Sequence, residues 1–335
     1  MFFRRHCLYL SDLSMSYCYY GFDKFECFCF VPGKCFRSCP EAPSPLRSVH
    51  VGWASAILVT EAGAAELRGW GGPRRLAAAG VSQAALGPRG HWLLLLEAGG
   101  AWLGRPGAPR RWLLDERLCD AAVGSSRALL LQQQQTGGGG GGCVLELRLD
   151  GLAVARPVAR AVRQVSCGHG HQLALTADGG ALSWGDGGRG QLGHGGVSTE
   201  EAPRPIEALA GLQLTAVAAG GWHSAALAHG GDLYLWGWNR DGQLGGSPCE
   251  LPLAANPRLL PLEDVVSVAL GSRHTVALLG DGSAWAWGSN DYGQVGPHET
   301  GPSWRAVRLA EGRAVGVSCS PWATLVQLDS PRDPF

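Results

Sequence analysis

The sequence predicts an all-β chain folded as a seven-bladed β-propeller, and three observations carry that expectation. A phrase of fixed grammar recurs: Gly-x-x-His, an apolar alternation, Trp-Gly, then Gly-Gln-Leu-Gly or Gly-Gln-Val-Gly. It begins at Gly168, Gly220 and Gly271, so His171, His223 and His274 stand 52 and 51 residues apart. Self-similarity at this period marks a blade-by-blade array. The composition agrees, with 51 Gly and 13 Trp suiting turn-dense blades that place one bulky residue in each layer between neighbours. Finally, no stretch holds a sustained helical period.

Sliding the unit along the chain without gaps places its histidine slot at Ser55, His91, Arg127, His171, His223, His274 and Ala323. That makes seven units, with six as the alternative count because the first three are eroded and closely spaced. The middle strong unit reads as four short strands, at 204–206, 214–218, 224–228 and 233–236. Their small residues and near-continuous apolar runs suit strands covered on both faces. Asp178-Gly179, Gly230-Gly231 and Asp281-Gly282 fall where a tight hairpin needs positive φ. The last unit stops soon after Leu328 without a Trp-Gly strand, so closing the ring requires a strand from elsewhere. Residues 26–31 are the N-terminal segment suited to complete the seventh blade.

The chain divides into an atypical leader, 1–40, and a propeller, 41–335. The leader holds both Lys, both Met, seven of the 8 Phe and six of the 11 Cys, and no Trp; the body has no Lys at all. So abrupt a change reads as a separately acquired leader or, preferably, an incorrectly joined first exon. Residues 8–22 are too short and too interrupted by Asp12 and serines to span a bilayer, so no membrane partner is expected. Cys27, Cys29, Cys35 and Cys39 lack the twice-paired spacing of a structural zinc site, so free thiols are the preferred reading. Scattered cysteines and the absence of an Asn-x-Ser/Thr sequon suit a reduced, intracellular protein. Residues 132–142, four glutamines followed by a run of glycines, have the composition of a disordered loop inside the third unit.

The formal charge is zero and no run of four basic residues occurs; without residues 1–40 the balance is 23 basic against 25 acidic. A protein that binds duplexes by counterion release would carry a basic stripe, so strong direct nucleic-acid binding is not expected.

Several motifs have two readings. Gly185-x-Gly187-x-x-Gly190 satisfies a dinucleotide fingerprint on paper, but no helix follows to receive a pyrophosphate, and the other units carry unrelated residues there. His171, His223 and His274 occupy one slot in different blades, so they lie around a ring and do not converge on a metal. A structural hydrogen bond within each histidine's own blade is the preferred reading. Trp184, Trp236 and Trp287 fill the layers between blades. Trp222, Trp238, Trp285 and Trp322 stand outside that slot, and Trp238 sits in a loop, where an exposed indole serves partner contact. No paired carboxylates, nucleophile elbow or HExxH motif occurs, so neither an enzyme nor a cofactor site is expected. The loops 186–189, 238–241 and 289–292 occupy equivalent positions after Trp-Gly and should emerge on one face. Arg189, Trp238, Arg240, Asp241, Asn290, Asp291 and Tyr292 then form a recognition rim.

The phrases 217–224 (Val-Ala-Ala-Gly-Gly-Trp-His-Ser), 234–244 (Tyr-Leu-Trp-Gly-Trp-Asn-x-x-Gly-Gln-Leu) and 271–275 (Gly-Ser-Arg-His-Thr) resemble repeats of the regulator of chromosome condensation family. The resemblance is specific over 165–296, extends to 328, and is weak over 49–160. It implies a seven-bladed propeller whose two chain ends meet in one blade. Gly-Gly-Trp-His-Ser and Trp-Gly-Trp-Asn are most similar to a small family member that is nuclear and chromosome-associated and partners a JmjC-type histone demethylase/hydroxylase. By resemblance, then, the chain is a monomeric, non-enzymatic adaptor for such an oxygenase, touching chromatin through its partner. The alternative implied by the same family is guanine-nucleotide exchange on a Ran-like small GTPase.

Overall fold

Small and apolar residues build the second strand of each strong blade: His171–Thr176, His223–Ala228 and His274–Leu279. The first two of these are buried along their whole length, because a blade stacked between two neighbours has no wet face. The computed structural model describes residues 25–28, 46–51, 55–69, 74–77, 79–105, 108–112, 118–133, 142–149, 153–155, 161–296, 303–309 and 313–328. Among these the chain is antiparallel β-sheet with one short 3-10 turn, Glu207–Leu209. No helix there is long and apolar enough to cross a membrane.

The strands group into seven blades, so the six-blade alternative is not realised. Their first strands are Leu46–Val51, Val81–Leu86, Leu118–Val123, Val162–Cys167, Leu214–Ala219, Val265–Leu270 and Ala314–Cys319. From the first blade to the seventh, each first strand packs against that of the blade that follows it in the chain. The ends of six of them, from the second blade to the seventh, line one cavity of about 280 Å³, so these strands lie innermost around the axis. The third and fourth blades are joined by a single bridge, Gly142 to Val162.

Two boundaries differ from the sequence expectation. Residues 204–206 were assigned to the unit of His223, but Glu200–Pro205 pairs with Ala181–Gly185 as the outer strand of the preceding blade. The Trp-Gly strand needs an antiparallel partner, and the loop carrying Gly-Gln-Leu-Gly folds the following segment back onto it. A blade is therefore offset from the repeat by one strand. Likewise Gln132, Gln133 and Gly142 are not loop: they pair at the end of Arg127–Gln133 and Gly142–Arg148. Residues 134–141 lie outside the described part, as does most of 1–40, with Cys29, Cys35 and Cys39.

The seventh blade has strands Ala314–Cys319 and Thr324–Leu328, and its third strand comes from the other end of the chain. Phe25–Phe28 runs antiparallel to Thr324–Leu328, with Phe25 opposite Gln327 and Phe28 opposite Thr324. A strand edge that would otherwise present unpaired N–H and C=O groups is thereby covered.

Between blades, a recurrent polar link does the fastening. In the fifth blade Ser224 donates its hydroxyl proton to the backbone carbonyl of Gln191 in the fourth, at 2.7 Å, and Trp236 Nε1 donates to the same oxygen at 2.9 Å. The next joint repeats this with Thr275 and Trp287 on the Gln243 carbonyl, at 2.7 and 3.0 Å. At the joint after that, Thr324 donates to the Gln294 carbonyl at 2.7 Å. The three hydroxyls then receive the imidazoles: His171 Nε2 reaches Ser224 at 2.9 Å, His223 reaches Thr275 at 3.0 Å and His274 reaches Thr324 at 3.1 Å. Each repeat histidine thus bonds the next blade and not its own, which corrects the sequence expectation. The hydroxyl proton is already committed to a carbonyl, so Nε2 must carry the imidazole hydrogen.

The first glycine of each Gly-x-x-His is required by this packing. A Cβ on Gly220 would lie 2.5 Å from His223 Cε1. Where the link is missing, a different one replaces it. Arg127 stands in the histidine slot of the third blade and pairs at 2.6 Å with the buried Glu146, whose other oxygen accepts Trp184 Nε1 at 3.2 Å. A carboxylate does there what a glutamine carbonyl does later.

Two outcomes follow from closure and from the imidazole links. Deleting residues 1–34 should lower the melting temperature by roughly 5 °C or more, since several buried-edge hydrogen bonds vanish together; an unchanged melt would refute closure by Phe25–Phe28. The second outcome concerns pH. Burial lowers the pKa of His171 to about 4 and of His223 and His274 to about 3. The unfolded chain takes up these protons near 6.5, the native chain only far lower, so stability is full above that value and falls as pH falls. Each histidine contributes up to about 1.4 kcal/mol per pH unit below 6.5. Denaturant melts at pH 7.5 and 5.0 should show this loss, reduced in His223→Gln; a flat profile would exclude neutral buried imidazoles.

Candidate functional site

The third strand of each strong blade runs antiparallel to the second, so the loop after it returns to the Gly-x-x-His turn. Three equivalent hydrogen bonds secure this: Asp186 N–H to Gly170 O at 2.9 Å, Trp238 N–H to Trp222 O at 2.9 Å, and Ser289 N–H to Arg273 O at 2.8 Å. The loops 186–189, 239–241 and 289–292 therefore share one face with those turns, and Trp238, expected in a loop, is instead the last residue of the strand Leu233–Trp238, paired with Leu253. The same face carries the mouth of the axial cavity, lined by Gly168, His169, Gly220, Ser272 and Pro321 among others.

Each loop is held by the glutamine that follows it. Gln191 Oε1 accepts the Arg189 N–H at 2.8 Å, Gln243 Oε1 that of Asp241 at 2.9 Å, and Gln294 Oε1 that of Tyr292 at 2.8 Å. An asparagine adds a second brace in two blades. Asn239 Oδ1 accepts the Leu244 N–H at 2.8 Å while its Nδ2 donates to the Leu251 carbonyl at 2.7 Å. Asn290 does the same with the Val295 N–H and the Gly296 carbonyl, at 3.0 and 3.2 Å.

Six of the seven expected rim residues come together, and Asn290 does not. It is 2% exposed and spends its amide inside its own loop, so it shapes the rim without being available to a partner. Arg189 lies with its guanidinium 5.2 Å from the Trp222 ring and 4.5 Å from the Trp238 ring, while Arg240 covers Trp238 at 5.7 Å. The two indoles meet edge to face at 5.7 Å, and His169 is tilted against Trp222 at 4.8 Å. Asp241 and Asp291 are both bound by Arg273, at 3.2 and 3.0 Å. Arg273 in turn sits 5.4 Å over Trp322, whose ring meets that of Tyr292 edge to face at 5.3 Å. The result is an aromatic and arginine ridge running from the fourth blade to the seventh.

Sequence reasoning missed His169, Trp222, Arg273 and Trp322. A signal existed. The position directly before the histidine slot reads Gly170, Trp222, Arg273 and Trp322 in successive blades, bulky and varied where its neighbours repeat. The structural residues stay separate from this ridge: Trp184, Trp236 and Trp287 are 0 to 1% exposed and donate to the preceding blade. Cys167 and Cys319 line the axial cavity, and burial pushes both thiols well above the ordinary range, so neither offers a thiolate. Among the described residues no group of three metal-ligating side chains occurs.

The repeat grammar matches a known family. A profile described as the regulator of chromosome condensation (RCC1) repeat covers residues 178–227 and 230–278, and a second profile of that repeat covers 162–191, 214–243 and 265–294. RCC1 domain-containing protein 1 of Mus musculus is 32% identical over 351 residues, spanning 85% of this chain and 90% of the relative. The chain belongs to the RCC1 repeat family. Two solved RCC1-type propellers share its fold at 20% identity and a TM-score of 0.73. Human WBSCR16 covers 87% of this chain and 88% of its own, and Prp20p from Saccharomyces cerevisiae covers 85% and 83%. Membership places the chain among interaction and regulatory proteins built on this propeller. The ridge carries varied chemistry on an otherwise repetitive RCC1 scaffold.

The half-buried ridge indoles and the core indoles should respond differently to truncation. Trp236→Ala is expected to cost about 3–5 kcal/mol, whereas Trp222→Ala or Trp238→Ala should cost no more than about 2 kcal/mol. Guanidinium titration checks this, and equal losses at all three would mean that the ridge is core.

Proposed function

We propose that this protein is a non-enzymatic adaptor whose aromatic and arginine ridge docks a protein partner, a JmjC-type histone demethylase/hydroxylase. One observation carries the reading. Across four consecutive blades the positions left free by the repeat hold Trp, Arg and Tyr on a single face, the residue types that dominate interface hot spots. Similarity to the mouse RCC1 domain-containing protein over 85% of the chain supports a role of the same kind. On this reading the protein works in the nucleus as a monomer, reaching chromosomes through its partner.

A second reading, exchange on a Ran-like GTPase, draws support from Prp20p, which is described with binding properties to Gsp1p and histones. It ranks lower because the first three blades lack the repeat residues and the similarity to Prp20p is one of fold.

Purification of the tagged protein from nuclear extract, with mass spectrometry of bound chains, tests the choice. The parent should recover a JmjC oxygenase, and a Trp238→Ala, Tyr292→Ala double variant that melts like the parent should lose it. Recovery of a Ran-like GTPase instead, or equal recovery by both proteins, would overturn the adaptor reading at this face.

A further inference from the structure

The charges on the ridge are not evenly matched. Towards the sixth blade, Arg273 serves two carboxylates, Asp241 and Asp291, and the charge of Arg240 also acts on Asp241. At the other end Arg189 has no carboxylate partner among the described residues. Its side chain makes no hydrogen bond there either; only its backbone N–H is used, by Gln191. Its guanidinium lies in the angle between Trp222 and Trp238, 5.2 and 4.5 Å from their rings, which meet edge to face at 5.7 Å, so it is held against the indoles while its donors stay unspent. Arg240 stands exposed over Trp238, and Arg89 lies exposed near His169. Asp186 also acts on the His169 ring, and it accepts the Gly188 N–H within its own loop at 2.9 Å. The His169 ring reports the same local field. Burial first, and then the charge of Arg89, lower its proton affinity; Asp186 opposes them and Arg189 adds to them.

A guanidinium held against two indoles with its donors unspent is preorganised for an oxyanion. Its planar fork matches a carboxylate bidentately, and the indole faces remove the entropy cost of holding it still. A nucleic-acid strand, which repeats its charge at every step, would be carried from Arg189 onto Asp241 and Asp291. A protein segment can place one or two carboxylates at Arg189 and Arg240 and set apolar or basic groups beyond them. We propose that Arg189, held against the angle between Trp222 and Trp238 and flanked by Arg240, receives a carboxylate of an acidic segment of the partner protein. The inference rests on the adaptor reading of this face and names the chemistry of what docks there.

The test uses the full chain and a fluorescein-labelled glutamate decapeptide, followed by anisotropy at low salt. Binding is expected, with affinity falling by about fivefold or more in Arg189→Gln, the loss of one charge-assisted bidentate contact. Arg258→Gln, an exposed arginine on the outer strand of the fifth blade, should bind like the parent. Absence of peptide binding, or equal binding by parent and Arg189→Gln at matched melting temperature, would overturn the proposal. So would an oligothymidylate of the same length that binds more tightly than the peptide and depends on Arg189. If the peptide fails while the Trp238→Ala, Tyr292→Ala variant still loses its oxygenase, this inference falls and the adaptor reading stands. If the peptide binds as expected while that variant keeps every partner, the adaptor reading falls instead.

Discussion

At the three joints from the fourth blade to the seventh, the structure depends on one buried carbonyl each. The backbone oxygen of Gln191 receives a hydroxyl and an indole N–H from the fifth blade, and the oxygen of Gln243 receives the same pair from the sixth. A carbonyl with both lone pairs bonded in a dry layer fixes the angle between two sheets far more narrowly than apolar contact, which is non-directional. The imidazole of the earlier blade completes the link by donating to the hydroxyl, and the glycine beneath it must lack a side chain for the ring to fit. Gly, His, Ser or Thr, Gln and Trp are thus a single device spread over two blades.

The same glutamine also governs the surface. Its side-chain oxygen holds the backbone two residues upstream, where Arg189, Asp241 and Tyr292 begin. Backbone and side chain of one residue therefore tie the joint between blades to the position of the rim. This lets the loop tips vary in chemistry without moving, and a rigid loop tip presents its side chains at little entropic cost on binding. Arg189 against two indoles is the clearest product: it is placed by the Gln191 amide oxygen from its own blade and by Trp222 and Trp238 from the next.

Early blades show how much of the device can be exchanged. The third blade has no histidine and no glutamine carbonyl at its joint, yet Arg127 and Glu146 deliver an acceptor to Trp184. What persists through the change is the demand of the next blade's indole for a buried acceptor. An eroded repeat can therefore remain a blade.

Much of this was legible in the amino-acid order. The period of the Gly-x-x-His phrase narrowed the blade count to seven or six, because identical local grammar forces identical local folds. Every slot from Ser55 to Ala323 falls at or one residue before the start of a second strand. The equivalence of the three post-Trp-Gly loops likewise determined that they share a face. What the order of residues left undecided is whatever arises between units. It assigned the imidazole bonds to their own blades, since partners across a joint lie some fifty residues apart and leave no local trace. It also began each blade one strand early, since nothing local shows that the segment after the Gly-Gln-Leu-Gly loop folds back onto the strand before it. It counted Asn290 as surface because polarity alone does not reveal an amide turned inward on its loop. And it passed over Trp222, Arg273 and Trp322, whose role exists only once neighbouring blades bring Arg189, Asp241 and Tyr292 against them. A one-dimensional repeat specifies the module, whereas only the three-dimensional ring specifies what each module meets.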